Sequence, residues 1–164
     1  GTDLRFSIKG RRAHPDTGRF HEPGDFGNLP AGEAFVAPVE GTGEGTVVID
    51  GPIPDIEERN VAIEFKRGVA CKIRGSRKLA NMLKRAGKNS TNLAEFGIGT
   101  NPRARLIGNV LEDEKVLGTC HVALGDNSTF GGKIEADIHI DGIIKKPTVE
   151  LDGKLLMKNG KLLL

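Results

Sequence analysis

The sequence contains no tyrosine and no tryptophan, so no phenol or indole takes part in its chemistry. Cysteine is also scarce. Cys71 and Cys120 lie far apart in apolar segments, which favours reduced, buried thiols over a disulfide. No apolar stretch approaches the ~20 residues that a membrane-spanning helix needs. These absences predict a cytoplasmic protein with no membrane partner.

An excess of charge of one sign is missing as well. The chain has 24 basic and 22 acidic residues and a formal net charge of +2. Its densest basic run, residues 66–88, is more typical of a solvated strand and helix surface than of a nucleic-acid site. We therefore expect no nucleic-acid partner. The sequence Gly-Gly-Lys at 131–133 lacks the spacing and the following hydroxyl residue of a phosphate loop.

Glycine, in contrast, is abundant. The 23 glycines are about twice the usual share for this length, and many follow Asp, Asn or Arg as they do in tight turns. The pattern predicts a mainly β (α+β) fold, with antiparallel strands in a barrel-like sheet and a few helices. A length of 164 residues suits one domain with a real core. Because the first residues already show a strand pattern, we expect residues 1–164 to be part of a longer protein.

The predicted elements follow from local patterns. Apolar and polar alternation predicts strands, and Arg67-Gly68 predicts the turn of a hairpin. Ser76 and Gly87 suit the two ends of a helix. Asp113 suits the start of a second helix, over residues 113–124, that would carry Glu114 and His121 on one face. The strands are expected at 2–9, 35–39, 46–50, 61–66, 69–74, 93–98, 134–145, 148–151, 154–157 and 161–163, and a loop holding His14 and His21 at 10–30.

Two of the four histidines lie in segments suited to metal binding. On a strand, residues i and i+2 point to the same side, so His139 and Asp141 present an imidazole and a carboxylate together. A third ligand from the segment of His121 would complete a two-histidine, one-carboxylate set, a common arrangement around zinc, iron or manganese. His14 and His21 are expected in solvent, with a substrate contact as the alternative.

Three further carboxylates are candidate ligands. Glu33 and Glu95 are each flanked by small and apolar residues on both sides. Burial of a carboxylate is costly unless it is paired or bound to a metal, although a structural hydrogen bond explains either residue equally well. Glu114 belongs to the acidic run 112–114, which could simply favour a helix N-terminus.

Several segments, in order, resemble the C-terminal domain of the M29 metallopeptidases, the thermophilic aminopeptidase T or leucyl aminopeptidase group. They are Gly-Thr-Asp-Leu at 1–4, Asn-Leu-Pro-Ala-Gly-Glu-Ala-Phe-Val-Ala-Pro at 28–38, Leu-Ala-Glu at 93–95, Leu-Glu-Asp-Glu at 111–114, His-Val-Ala-Leu-Gly at 121–125 and His-Ile-Asp at 139–141. The resemblance implies a C-terminal metal-binding domain, a missing N-terminal domain and a homodimer. It also implies two divalent cations (zinc, cobalt, magnesium or manganese). The implied ligands are Glu33, Glu95, His121, His139 and Asp141, with Glu114 as a less certain sixth.

The expected function is therefore that of a metallo-aminopeptidase, in which two metals activate water to release N-terminal residues from peptides. Glu95 is the candidate bridging ligand, and Glu33 is either a ligand or a general base. The isolated chain is expected to be weakly active or inactive, because the family encloses its substrate with a second domain and a dimer partner.

Two departures leave alternatives open. The family tyrosine that assists catalysis has no counterpart, and the segment between His121 and His139 is shorter than in the peptidases. A ring-cleaving Fe(II) dioxygenase for dihydroxypyridines resembles the same family, and His121, His139 and Asp141 could supply its iron centre. The chain could also bind metal without catalysis of its own.

Overall fold

A computed structural model describes residues 1–163, which form three antiparallel sheets and few helices. The strands are β1 (Asp3–Arg5), β2 (His14–Asp16), β3 (Glu33–Val36), β4 (Glu44–Ile49), β5 (Val61–Lys66), β6 (Val69–Arg74), β7 (Leu93–Gly99), β8 (Thr119–Gly125), β9 (His139–Lys145), β10 (Val149–Leu151), β11 (Lys154–Lys158) and β12 (Lys161–Leu162). The helices are α1 (Arg77–Ala86) and α2 (Val110–Asp113), with a 3-10 turn at Ser128–Phe130. The predicted mainly β, α+β class is confirmed.

The strands are distributed over sheets of five, four and three strands. Their orders are β2-β3-β7-β8-β9, β1-β4-β5-β6 and β10-β11-β12. In the described residues these are separate sheets rather than one closed barrel. None of the helices within residues 1–163 is long and apolar enough to cross a membrane.

The two larger sheets share one apolar core. In β5, Val61, Ile63 and Phe65 are buried and alternate with more exposed residues. They join Val122 and Leu124 of β8 in the same cluster. Alternation along each strand sends every second side chain into this core and leaves the others on the opposite face. That opposite face of the five-stranded sheet carries five of the six predicted metal ligands.

Helix α1 begins and ends where the sequence predicts. The Ser76 hydroxyl oxygen accepts a hydrogen bond from the Leu79 backbone N–H at 3.0 Å, which satisfies a donor that the first turn leaves free. Gly87 has a φ of 74° after the last turn, a conformation that glycine adopts without a steric penalty. Leu79 and Leu83 pack into the core.

The predicted helix over residues 113–124 is wrong. Its second half is strand β8, whose seven residues are all buried, and α2 ends at Asp113 instead of starting there. A central strand covered on both faces has a continuous apolar run that lacks the alternation of a half-exposed strand. Asp113 does not cap a helix either, because it is fully buried and accepts hydrogen bonds from the backbone N–H groups of Ile107 and Gly108.

Other differences concern strand length. The expected strand at 134–145 starts only at His139, and the expected strand at 2–9 shortens to Asp3–Arg5. The loop at 10–30 contains β2, which pairs with β3. The hairpin of β5 and β6 about Arg67-Gly68 is confirmed.

Candidate metal centre

Five of the six predicted ligands lie on adjacent strands of the five-stranded sheet, and Glu114 lies at the C-terminal end of α2. Glu33 is on β3, Glu95 on β7 and His121 on β8, while His139 and Asp141 share β9. His139 and Asp141 lie on one strand, as predicted. In the register of the sheet, Glu95 pairs with Ala123, and Ala123 pairs with Asp141. These pairings place the two carboxylates in one row across three strands.

An irregularity in β7 directs Glu95 to this face. The pairing shifts between Leu93, which lies opposite Leu124, and Glu95, which lies opposite Ala123. In a regular strand, Leu93 and Glu95 would point to the same side. Because a β-bulge inserts one extra residue, Leu93 packs in the core while Glu95 lies with the candidate ligands.

One glycine makes room for the imidazole of His121. Gly97 lies directly opposite His121 in the register. A Cβ atom at Gly97 would lie 2.2 Å from both Cε1 and Nε2 of the His121 ring. The ring therefore lies over the Gly97 backbone, in space that any side chain would fill.

Both imidazoles contact Glu95. Nε2 of His121 lies 3.3 Å from Oε1 of Glu95, and Nε2 of His139 lies 3.3 Å from Oε2 of the same carboxylate. His121 Nε2 is also 3.3 Å from Glu33 Oε2, and His139 Nε2 is 3.7 Å from Asp141 Oδ2. Four carboxylate–imidazole contacts thus link these five residues into one cluster.

A backbone contact fixes the orientation of the His139 ring. Its Nδ1 lies 2.7 Å from the carbonyl oxygen of Asp126, an acceptor, so this nitrogen carries a hydrogen and donates. In the neutral ring Nε2 then has a free lone pair, and it faces the carboxylates of Glu95 and Asp141. A hydrogen bond from the second ring nitrogen is the usual way in which a protein orients a metal-binding histidine.

The donor atoms of this cluster fit a divalent cation. Three overlapping groups each have one ligand atom per residue, all within 4.8 Å of one another. Oε2 of Glu33 is buried and accepts no hydrogen bond, so it has an unused lone pair directed at the cluster. The groups are Glu33, Glu95 and His121; Glu95, His139 and Asp141; and Glu114, His121 and Asp141. The structure therefore brings together all six predicted residues, and their role as ligands stays a prediction.

A buried lysine completes the cluster, and the sequence analysis missed it. Lys115 is fully buried, and its Nζ lies 2.6 Å from Glu33 Oε1 and 2.5 Å from Glu114 Oε1. Asp16 Oδ2 lies 3.5 Å from the same ammonium. Lys115 follows an acidic run that resembles a solvated helix start, and Asp16 reaches the site only because β2 pairs with β3. Neither residue therefore has a local signal in the sequence.

Burial and the neighbouring charges shift the pKa values in the metal-free cluster. Burial raises the pKa of Glu33 to about 7. Burial lowers the pKa of both imidazoles, but hydrogen bonds and charge from the carboxylates outweigh this effect. The pKa of His121 is raised to about 9 and that of His139 to about 11. Burial raises the pKa of Glu95, yet its hydrogen bonds with the two imidazoles lower it to about 2. Without a metal, positively charged imidazoles therefore offset part of the charge of the carboxylates.

Half-buried aromatic rings border the outer side of the cluster. The Phe130 ring meets His139 edge-on at 5.7 Å between centroids and Phe35 at 5.6 Å. His14 stacks on Phe35 at 5.4 Å, and its Nε2 lies 3.1 Å from the Phe130 carbonyl oxygen. His14 thus belongs to this aromatic wall, made of His14, Phe35 and Phe130, whereas His21 is exposed as expected.

Comparison with known proteins finds a family match over the whole chain. The model of the family described as NicX: 2,5-dihydroxypyridine 5,6-dioxygenase matches residues 1–164. The 2,5-dihydroxypyridine 5,6-dioxygenase of Pseudomonas putida KT2440 is 24% identical over an alignment of 178 residues. The alignment covers 98% of this chain and 51% of that protein.

Two solved structures show the same fold. The structure of 2,5-dihydroxypyridine dioxygenase from Pseudomonas putida KT2440 superimposes with a TM-score of 0.88 and 23% identity, covering 99% of this chain and 52% of that one. Wild-type AmpT from Thermus thermophilus gives 0.74 and 22%, covering 100% of this chain and 48% of that one. The match to AmpT supports the predicted structural resemblance to the M29 aminopeptidases. The chain spans about half the length of these relatives.

Proposed function

The chain belongs to the family described as NicX, 2,5-dihydroxypyridine 5,6-dioxygenase, and we propose that it supplies the metal-binding part of an enzyme that opens a dihydroxypyridine ring with molecular oxygen. The observation that carries this proposal is the cluster of two imidazoles and several carboxylates beside the aromatic wall.

The family match corrects the function that was expected from the sequence. The prediction of a hydrolase, an M29 metallo-aminopeptidase, is wrong, because the family match and the curated relative both point to dioxygenases. The stated alternative, an Fe(II) ring-cleaving dioxygenase, agrees with them. The error has a physical reason: carboxylates and imidazoles serve hydrolytic and oxidative metals alike, so the donor set alone does not define the reaction.

We propose Fe(II) as the cofactor, held by His121, His139 and Asp141. Asp141 shares a donor group with each histidine separately, so one ion beside its carboxylate would draw both rings towards it. Two imidazoles and one carboxylate form the ligand set that non-haem iron oxygenases use with open positions. When bound, ferrous iron supplies the one-electron chemistry that allows ground-state oxygen to react with an aromatic ring. Glu95 contacts both imidazoles and so sets their relative position.

The phenylalanines of the aromatic wall would orient the substrate. Phe130 packs edge-on against His139, whose side chain is 31% exposed, and Phe35 packs against Phe130; both phenylalanines are half-buried. An aromatic ring that reaches His139 from solvent would pack against these phenylalanines, since edge-to-face and offset contacts between rings are favourable. The partners that we propose are a small aromatic substrate and a second domain. The predicted homodimer stays a prediction.

The proposal is tested with the complete protein, purified without added metal, reconstituted with Fe(II) and supplied with 2,5-dihydroxypyridine. We expect oxygen uptake matched to loss of the pyridine absorbance. His139→Ala should abolish both, whereas His21→Ala, the same change at an exposed histidine, should leave them unchanged. Iron-loaded protein that consumes no oxygen with this compound or other dihydroxypyridines would contradict the proposal.

A further inference from the structure

Lys115 occupies an unusual position for a lysine. Its side chain is fully buried, although lysine is among the residues least often buried. Its ammonium contacts Glu33, Glu114 and Asp16, and all three contacts are with carboxylate oxygens. A buried lysine persists only where such partners compensate for the water that it loses.

Glu33 joins this ammonium to the imidazoles. Its Oε1 binds Lys115 Nζ at 2.6 Å, while its Oε2 lies 3.3 Å from Nε2 of His121. One carboxylate therefore has one oxygen on a fixed cation and the other directed at the donor groups proposed for iron. A carboxylate that bridges two metal ions shares its oxygens in the same way. Glu114 likewise connects the ammonium with the candidate metal ligands, because it contacts Lys115 and belongs to a donor group with His121 and Asp141.

We propose that the Lys115 ammonium takes the place of a second cation, so that the cluster binds one metal ion, and that removal of this ammonium creates a second metal site from Glu33, Glu114 and Asp16. This inference rests on the proposed metal centre and deepens it, because it identifies the residue that sets the number of metals. Lys115 acts by occupying space and by holding the two glutamates, so it is a positioning residue.

The charges of the cluster support this role. Five carboxylates lie together: Asp16, Glu33, Glu95, Glu114 and Asp141. A neutral imidazole that binds a metal adds no positive charge, so the five carboxylates depend on the ammonium and on the metal ion. A tethered ammonium then neutralises the glutamates on its own side and leaves the rest to one divalent ion. Without it, several carboxylates would lie close together with no cation between them, and a divalent cation would relieve their repulsion.

The test compares metal content in the complete protein and in Lys115→Met, which removes the charge and keeps a long side chain. After dialysis against excess Mn²⁺ and removal of free metal, we expect the wild type to retain one ion per chain and Lys115→Met to retain two. Electron paramagnetic resonance should show an isolated Mn²⁺ in the wild type and a coupled pair in the variant. Lys84→Met, which changes an exposed lysine of α1, should behave as the wild type.

The double variant Glu114→Gln, Lys115→Met removes a ligand of the new site and should return to one ion. A second ion that is absent from Lys115→Met, or that the double variant still binds, overturns the inference while the proposed function stands. If Lys115→Met does not fold, the wild type decides the question, because a coupled pair of Mn²⁺ ions in it would overturn the inference. A wild type that binds no metal overturns the inference and the proposed metal centre together.

Discussion

Gly97 offers the sharpest test of the metal centre, because a single methyl group there would collide with a proposed ligand. In Gly97→Ala the new Cβ would lie 2.2 Å from Nε2 of His121, whereas ordinary contacts begin at 3.4 Å. The φ angle of Gly97 is not in the left-handed region, so alanine meets no backbone penalty there. The substitution therefore acts through the ring, which must move by about 1.2 Å.

The expected effect on metal binding is large. Metal–ligand bonds hold to within about 0.2 Å of their usual length, so a displacement of more than 1 Å breaks the proposed bond between His121 and the metal. Loss of a supporting contact alone costs roughly 10- to 100-fold in affinity, and loss of a ligand should cost at least about 100-fold. The cost in folding stability should be smaller, about 1–3 kcal/mol, as for other overpacked sites.

The assay is competition with a chelator of known affinity, for Fe(II) without oxygen and for Mn²⁺. Ile63→Val is the matched control, because it removes one methyl group from the core face of β5, away from the ligands. It should lower the free energy of unfolding by about 1 kcal/mol and leave metal affinity unchanged. Wild-type affinity in Gly97→Ala would show that His121 is not a ligand.

Three further predictions concern pH, stability and substrate. The melting temperature of the metal-free protein should fall as pH rises from about 6.5 towards 9. The raised pKa values of His121 and His139 stabilise the fold fully only below the unfolded pKa near 6.5, and this stabilisation is lost as pH rises through the folded values of about 9 and 11. A flat profile in thermal melts would contradict this. Ser76→Ala should lower the free energy of unfolding by about 1 kcal/mol in urea without changing metal affinity, because it removes only the cap of α1. Phe130→Ala should raise KM for the dihydroxypyridine several-fold with metal content unchanged, and an unchanged KM would remove Phe130 from the substrate site.

Local patterns predicted much of the fold. The β5–β6 hairpin, helix α1 and the shared face of His139 and Asp141 each depend on residues close together in sequence, so alternation, turn residues and caps suffice. Strand β8 was misread because both of its faces are buried, and that burial depends on β7 and β9. Periodicity cannot reveal a strand whose environment comes from distant segments.

Some features of the candidate site could be predicted from the sequence and others could not. The six predicted residues have the side chains that metals prefer, and the structure brings them together. Lys115, Asp16 and the space over Gly97 escaped prediction because each gains its role from contacts between segments that are distant in the sequence. The bulge that directs Glu95 to the cluster is also a property of two paired strands, and no single segment encodes it.

The charge of the cluster connects its metal-free and metal-bound states. In the metal-free protein, protonated imidazoles face Glu95 and Asp141. A divalent ion must displace those protons, so two positive charges replace two positive charges and the net charge of the cluster is the same in both states. The cluster can therefore fold before a metal ion binds, with less repulsion than bare carboxylates would suffer. The ammonium of Lys115 does not exchange with metal ions, because it is part of the side chain. Glu33 thus has a fixed cation, supplied by the segment between α2 and β8, on one side and an exchangeable cation on the other.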